Sequence, residues 1–458
     1  MNARPPQRLG LLFSYDWDSL GFARSAAGWA FDEAGFDLFS FPDNAHLIGF
    51  DLERFARRQA ERGRQRGWRG VLSHHEQFGA LAAALVAEAL QLPGPSVAAV
   101  LAAQHKLHAR RVLQQVAPEA NLAAEPLDAQ YGGAIPPGLA YPRYVKPVKA
   151  AFSVLARAVA SHEELVQHTR FGRRELWVIR RLVEPFERVC RQRLPEAGSA
   201  HRMLLEEPVP AGTPQFNLDG WVHRGQAHAL GVVDALMYPG TQAFMRWQLP
   251  SRLPADVQQR ALDVAQRFLS AIGFDQGFFN MEFFFDPASQ RLAVIEFNPR
   301  LASQFSDLYL RVTGRDPHAM SIALALGQDP LALPVAPVQG GAAASFVYRS
   351  FPGDPAPPMS GRAAQAAFRQ AFPDALLYAY PRQGHALQRD FKWLGSWRHG
   401  IVHLHADNEL QLRERCERCS AMLGWRAPYA DACAASAAAA PALQAQPAEP
   451  MSHEGVSR

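Results

Sequence analysis

Between Asn280 and Arg300 the chain reads Asn-Met-Glu-Phe-Phe-Phe-Asp, a short polar turn, and then Leu-Ala-Val-Ile-Glu-Phe-Asn-Pro-Arg, a pattern that leaves few ways to fold. Strand side chains alternate faces with a period of two. Asn280, Glu282 and Phe284 therefore share one face of a first strand, and Met281, Phe283 and Phe285 share the other. On a second strand Glu296 and Asn298 point the same way. The segment Asp286-Pro287-Ala288-Ser289-Gln290 has the composition of a tight reversal, which sets Glu282 beside Glu296 across an antiparallel ladder. The residues leave the register open.

Two carboxylates side by side across a sheet repel, and the pair is destabilising unless a cation or a proton lies between them. A hard divalent cation removes the conflict. Glu282, Glu296 and Asn298 form an oxygen-only set with no His or Cys nearby, which suits Mg²⁺, an ion that keeps waters and accepts phosphate oxygens. That chemistry implies a nucleotide. An ordinary amphipathic hairpin with its charges on the wet face is the plain alternative.

With 458 residues, 48% hydrophobic and 20% charged, the chain has enough apolar material for about two or three cores. A formal charge of +4 is slight for this length, and the basic residues are scattered apart from 57–69 and 170–181, so nucleic acid is not expected as a partner. Met1–Gly10 holds no apolar stretch of signal-peptide type and no run approaches membrane-spanning length, so a cytoplasmic location away from membranes is expected. The CxxC at Cys416-Glu417-Arg418-Cys419 lacks the second pair that a zinc site wants, since Cys190 and Cys433 stand alone. It also lies late in a helical pattern, where redox thiols are not expected. His403-Leu404-His405 puts two imidazoles on one strand face without a third ligand, so packing or surface exposure is the expected role.

Arg8–Ser14 and Gly70–Ser73 read as strands, separated by loops and an Arg-rich helical stretch near Arg57. Ser73 and Glu76 have capping-box spacing ahead of a helix expected over Gln77–Leu90, which leaves His74 and His75 exposed at a loop end. Strands alternating with helices predict a parallel three-layer unit for roughly the first hundred residues, without the glycine fingerprint of a dinucleotide fold. A helical pattern over Ser96–Gln115 carries Lys106, Arg110 and Arg111. Strands are expected at Arg143–Pro147 and Met203–Val209, and antiparallel pairing over Asn217–Val233 with turns at Asp219-Gly220 and Arg224-Gly225. A helix over Pro254–Ile272 leads into the hairpin, Thr313-Gly314 closes another, and Asp316-Pro317 caps the next, which runs to Gly327. Pro334–Pro337 reads as a boundary before a final strand-bearing module, and the Ala/Pro/Gln-rich stretch Asp431–Arg458 as disordered.

With the hairpin, two separated lysines and the run Leu204-Leu205-Glu206-Glu207-Pro208-Val209 in this order, the chain resembles the ATP-grasp superfamily, and within it the carboxylate-amine ligases and biotin-carboxylase-like members. The likeness runs from about Leu92 to Gly327, beginning with Leu-Pro-Gly-Pro-Ser at 92–96, and its most specific element is Ile-Glu-Phe-Asn-Pro-Arg. Such a resemblance implies an α/β and α+β architecture: a Rossmann-like pre-ATP-grasp domain over 1–95, an ATP-grasp domain over 96–333 and a C-terminal α+β module over 338–427.

Residue by residue, the resemblance assigns Lys106 and Lys146 to the phosphates of ATP. It gives the Glu206–Glu207–Val209 main chain to the adenine edge, with the Glu207 carbonyl as acceptor and the Val209 N–H as donor, since Pro208 has none. Glu282 would bind one Mg²⁺, Glu296 would bridge two and Asn298 would complete the second, with Mn²⁺ as the alternative ion. Arg300 would be the catalytic cation facing the reacting anion. No glycine stands between Pro147 and Leu155, where relatives often fold a glycine-rich loop over the phosphates, and Lys149 and Ser153 offer side-chain contacts instead. Gln304 occupies the place of the biotin-carboxylase base and cannot accept a proton, which disfavours carboxylation. The implied activity is ADP-forming ligation of a small-molecule carboxylate to an amine through an acyl phosphate. A nucleotide-binding protein with little catalysis, or a biotin-carboxylase-like carboxylase, is the competing reading, and many relatives form homodimers. Substrate choice is expected to rest on variable loops such as Tyr238–Trp247, where Arg246 offers a cation.

Overall fold

The computed structural model describes residues 7–25, 27–38, 43–130, 132–150, 155–355 and 361–431. The stretch 432–458 and the candidate Ser153 lie outside them. Strands β1 (Gln7–Leu12), β2 (Trp29–Ala34) and β3 (Trp68–Leu72) form a parallel sheet in the order β2-β1-β3. Leu9, Leu11 and Leu12 are buried, as expected of a central parallel strand covered on both faces. Helix Leu52–Arg66 begins where the Asp51 side chain accepts from the Arg54 N–H at 2.8 Å and stops at Gly67 in the left-handed region, φ 67°.

Two local expectations fail here. The capping box does not form: the helix starts at Gly79 with no side-chain cap, Ser73 Oγ accepts instead from the His75 N–H, and Glu76 turns away to Arg300. His74 and His75 are buried rather than exposed. His74 Nδ1 lies 2.8 Å and His318 Nε2 3.3 Å from Asp18 Oδ1, while the Tyr15 N–H donates to Asp18 Oδ2 at 3.0 Å. Burial opposes ionisation of Asp18, but His74 and His318 hold its carboxyl well below the usual range. Asp18, His74 and His318 are the grouping of three His, Cys, Asp or Glu ligand atoms close enough to share an ion among the described residues, and these hydrogen bonds account for it. The cluster ties the first sheet to helix Pro317–Ala325. Gly21 is required at this contact, because a Cβ there would lie 2.1 Å from the His318 ring.

A second, antiparallel sheet contains β4 (Ala124–Gln130), β5 (Arg143–Pro147), β6 (Arg157–Val159) and β7 (Arg202–Glu206), in the order β4-β7-β5-β6. Strand β7 ends at Glu206, three residues short of the expected Val209, and Pro208 just beyond has no N–H to continue a ladder. The third sheet is antiparallel throughout: β8 (Gln215–His223), β9 (Gln226–Met237), β10 (Phe244–Leu249), β11 (Gly277–Asp286), β12 (Arg291–Asn298), β13 (Ala342–Ser350), β14 (Leu376–Ala379) and β15 (Trp397–Ala406). Their order is β12-β11-β8-β9-β10-β13-β15-β14, so the C-terminal strands extend the sheet that carries the hairpin.

Asp219-Gly220 is not a turn but the middle of β8, at a slip in its register with β9. Arg246 lies in β10 rather than in a loop, buried and stacked 4.2 Å from the centre of the Tyr429 ring. Met281, Phe283 and Phe285 bury into the main core from the back of the hairpin, each worth about 1.5–3 kcal/mol of transfer free energy. Behind Glu296, Phe297 stacks on Phe268 of helix Ala255–Ala271 at 4.0 Å. Cys416 and Cys419 are buried in helix Glu409–Leu423, and burial pushes both thiols up to about 12. No described helix is long and apolar enough to cross a membrane.

Candidate active site

Across the β11–β12 hairpin Asn280 faces Asn298, Met281 faces Phe297 and Glu282 faces Glu296. The ladder then slips, so that Phe283 faces Val294 and Ile295 is left as a bulge. On this edge strand the carbonyl of Val294 accepts from Arg110 Nη1 at 2.6 Å, and that of Ile295 accepts from Arg110 Nη2 at 2.9 Å and Lys146 Nζ at 3.1 Å. Asn298 Nδ2 lies 3.3 Å from Glu282 Oε1 and 3.1 Å from Asn280 Oδ1, and Gln215 Nε2 donates to Glu282 Oε2 at 3.1 Å. Residues 282, 296 and 298 thus converge on one face of the hairpin.

Lys106 comes to this face because the expected helix over Ser96–Gln115 is two helices, Val97–Gln104 and Lys106–Val116. His105, extended at φ −86° and ψ 90°, breaks them apart and caps the second through Nδ1, which puts Lys106 at a helix start. Lys106 Nζ is 2.9 Å from Glu296 Oε2 and donates to the Ala150 carbonyl at 3.0 Å. Burial and the neighbouring Glu296 raise the Glu282 carboxyl to about 8. Glu296, although burial opposes its ionisation, is held below the usual range by Lys106 and Lys146.

Beside this pair lies a closed cluster. Glu206, 2% exposed, receives Arg110 Nε at 2.6 Å and Lys146 Nζ at 2.9 Å. Its carboxylate therefore anchors two cations. Burial draws the Lys146 ammonium down to about 8, against the opposing pull of Glu206. Glu207 donates its N–H to Ala123 O at 2.9 Å and pairs through its carboxylate with Arg291. Val209 follows in irregular chain, and its N–H has no partner among the described residues.

Arg300 Nε is 2.8 Å from Glu76 Oε2. Lys149 Nζ is 3.7 Å from Glu76 Oε1 and sits 5.1 Å above the Phe186 ring, while Gln104 Nε2 donates to both the carbonyl and the carboxylate of Glu76. Tyr15 stacks on His75 with ring centres 5.1 Å apart. Burial pushes the Tyr15 hydroxyl up, against the pull of Arg300, and draws the His75 imidazole down to about 4. Sequence reasoning missed Glu76 as a site residue. Its partner is 224 residues away, and its single local signal, the spacing from Ser73, read as a cap.

No protein-family model matches the chain. By sequence it is 39% identical over 79 residues to the carbamoyl phosphate synthase large chain of Thermotoga neapolitana, a match that spans 17% of this chain and only 7% of that one. By structure it is similar over 92% of its length to an L-amino acid ligase from Bacillus licheniformis, with a TM-score of 0.66, 98% of that chain covered and 16% identity. A biotin carboxylase from Campylobacter jejuni, in complex with a nucleotide, matches with a TM-score of 0.58 over 91% of both chains at 15% identity. The carboxylate pair on a sheet-edge hairpin, the two lysines from separate elements and these similarities agree: the chain has the ATP-grasp fold.

Proposed function

We propose that the protein is an ADP-forming ligase that activates a carboxylate with ATP and passes the acyl group to an amine. One observation carries this reading: Glu282 and Glu296 stand face to face, with Asn298 against Glu282, Lys106 on Glu296 and Lys146 held close behind by Glu206. Two crowded carboxylates and an amide form an oxygen set that fits Mg²⁺ or Mn²⁺. Such an ion, when bound there, supplies positive charge between the carboxylates and the phosphate oxygens.

On this reading Lys106 and Lys146 hold the triphosphate, and the Glu207 carbonyl and Val209 N–H meet the adenine edge. A carboxylate oxygen of the substrate bonds to the terminal phosphorus as the bond to ADP breaks. The amine nitrogen then bonds to the acyl carbon, phosphate leaves and the amine gives up a proton. Arg300 offsets the charge on the reacting anion, and bound neighbours react at high effective concentration. Opening the Glu76–Arg300 ion pair would offer one anion and one cation, which suits the two ends of an α-amino acid. The structural neighbour from Bacillus licheniformis is, by its name, a ligase of L-amino acids. Gln304 donates its amide to Ser345 Oγ and supplies no base for bicarbonate, so carboxylation is not proposed.

ADP release, measured over a panel of acids and amines, is expected to require Mg²⁺ and both substrates. It should fall by about 10³-fold or more in Glu296→Ala, with the circular dichroism of the fold retained. Should ATP with Mg²⁺ protect the protein against heat while no acid and amine pair releases ADP, nucleotide binding without catalysis replaces the ligase.

A further inference from the structure

Among the described ladders two like-charged pairs stand directly opposite each other: Glu282 with Glu296, and Arg349 of β13 with Arg398 of β15. Both occur at a slip in register. Without its slip Arg349 would face His399; with it, the two guanidinium side chains are set against each other. The pairs also share one face of the large sheet. Phe284, on the Glu282 side of β11, is followed across the strands by Gln215, Ala235, Trp247 and Ser345, and Arg349 lies on the Ser345 side of β13.

Nothing in the chain answers this second pair. Arg349 and Arg398 are half-buried, and neither has an ion pair among the described residues. Asp390 is taken by Arg382 at 3.8 Å and Arg389 at 3.9 Å, and Asp354 accepts from the Phe351 N–H at 2.8 Å. The stretch 356–360 that follows contains no Asp or Glu. Burial, and after it the neighbouring Arg398, draw the Arg349 guanidinium down to about 10. Other inward arginines are met: Arg110 by Glu206, Arg311 by Asp307, and Arg246 by Gln248, the Pro428 carbonyl and the Tyr429 ring.

The opposed guanidiniums are nevertheless held in place. Arg349 Nε donates to the Phe244 carbonyl at 3.1 Å and Nη1 to Ser396 Oγ at 3.0 Å, which leaves Nη2. Arg398 lies 4.5 Å above the Tyr380 ring, with its side-chain N–H groups unclaimed among the described residues. Phe244 belongs to the segment Tyr238–Trp247 expected to govern substrate choice, and the Arg349 N–H reaches Tyr238 at 3.3 Å. We infer that Arg349 and Arg398 form a binding site for an oxyanion, a carboxylate or phosphate group of a small molecule. Like charges directly opposite in a sheet repel, and an oxyanion between them removes the conflict. A guanidinium offers paired N–H donors to two oxygens at once, which gives such a group a fixed seat. The site stands on the arginine geometry and does not rest on the ligase reading. Its oxyanion belongs either to a substrate, since the pair shares the face that carries Glu282, or to a separate small molecule.

Titration calorimetry at fixed ionic strength, without nucleotide, tests the site. The probes are inorganic phosphate and glutarate; at least one is expected to bind, and the tighter one names the group. Arg398→Gln and Arg349→Gln should each weaken that binding about tenfold or more. With no anion added, Arg398→Gln should melt no lower than the parent, because it removes the opposed charge; a bracing role predicts a lower midpoint. ADP release then separates the two sources. A KM for the acid or amine that rises in Arg398→Gln, with that for ATP unmoved, places the oxyanion on the substrate, and unmoved values place it on a separate molecule. Anion binding lost in both variants, with no ADP release from any acid and amine pair, sinks the ligase and keeps the site. No uptake of either probe, uptake unchanged in both variants, or a lower midpoint for anion-free Arg398→Gln overturns it.

Discussion

Two buried charge clusters meet at strand β12, and only one of them is complete. Glu206 has two cations, Arg110 at 2.6 Å and Lys146 at 2.9 Å; burial would raise its carboxyl, but the pair hold it below the ordinary range. Glu282 faces a second carboxylate, the cation Lys106 pairs with Glu296 instead, and burial together with Glu296 raises Glu282 to about 8. The first cluster is satisfied within the chain and acts as architecture, fixing Lys146 and tying Arg110 to the bulged carbonyls of β12. The second is short of positive charge, and on the proposed reading a cation from solution makes up the shortfall. Burial alone does not distinguish a site from a brace. Whether the chain meets the need that burial creates does.

The contrast can be broken by substitution. Arg110→Met leaves Glu206 buried with one cation, and the urea midpoint should report a loss of about 3–5 kcal/mol; an unchanged midpoint would remove the claim that this cluster braces the fold. Asp18 is a second satisfied carboxylate, and Asp18→Asn is expected to cost roughly 2–3 kcal/mol at neutral pH. Because its folded pKa lies below its unfolded value, the contribution of Asp18 is fully present above about pH 4 and is lost as pH falls below that. The variant should therefore lose stability less steeply in acid than the parent does. Glu282→Gln runs the other way. With no divalent ion it removes the repulsion from Glu296 and should stabilise the protein by about 1 kcal/mol, one pKa unit being worth about 1.4 kcal/mol, while weakening Mg²⁺ binding. Destabilisation of the metal-free protein by this change would mean that the two carboxylates are not in conflict. Smallest of all, Cys419→Ala should leave ADP release within about twofold, since its thiol is buried and pushed up to about 12.

The hairpin was legible because strand alternation is a local property, and Asp286–Gln290 carries its own turn chemistry. Asp316 before Pro317 and Gly314 after Thr313 were legible for the same reason, and the helices begin and end there. Misreadings arose where a local signal met a stronger distant partner. Glu76 has the spacing of a cap, yet an ion pair with Arg300 outweighs a helix-start hydrogen bond. Gly220 read as a turn, but it is glycine because a Cβ would lie 2.3 Å from the His228 carbonyl. Strand β2, Trp-Ala-Phe-Asp-Glu-Ala, carries no clean alternation and escaped notice, since pairing with β1 rather than periodicity makes it a strand.

The sequence by itself determined the face on which Glu282, Glu296 and Asn298 lie, the reversal between them and the caps of the later helices, because these depend on neighbours within a few residues. Only the tertiary structure decided that the ladder slips at Ile295, that Glu206 goes to Arg110 and Lys146, that Glu76 goes to Arg300, and that the ring nitrogens of His403 find no hydrogen-bond partner among the described residues. Those outcomes are set by burial and by Coulombic attraction between groups remote along the chain, and no local pattern encodes which charges will meet once water is excluded.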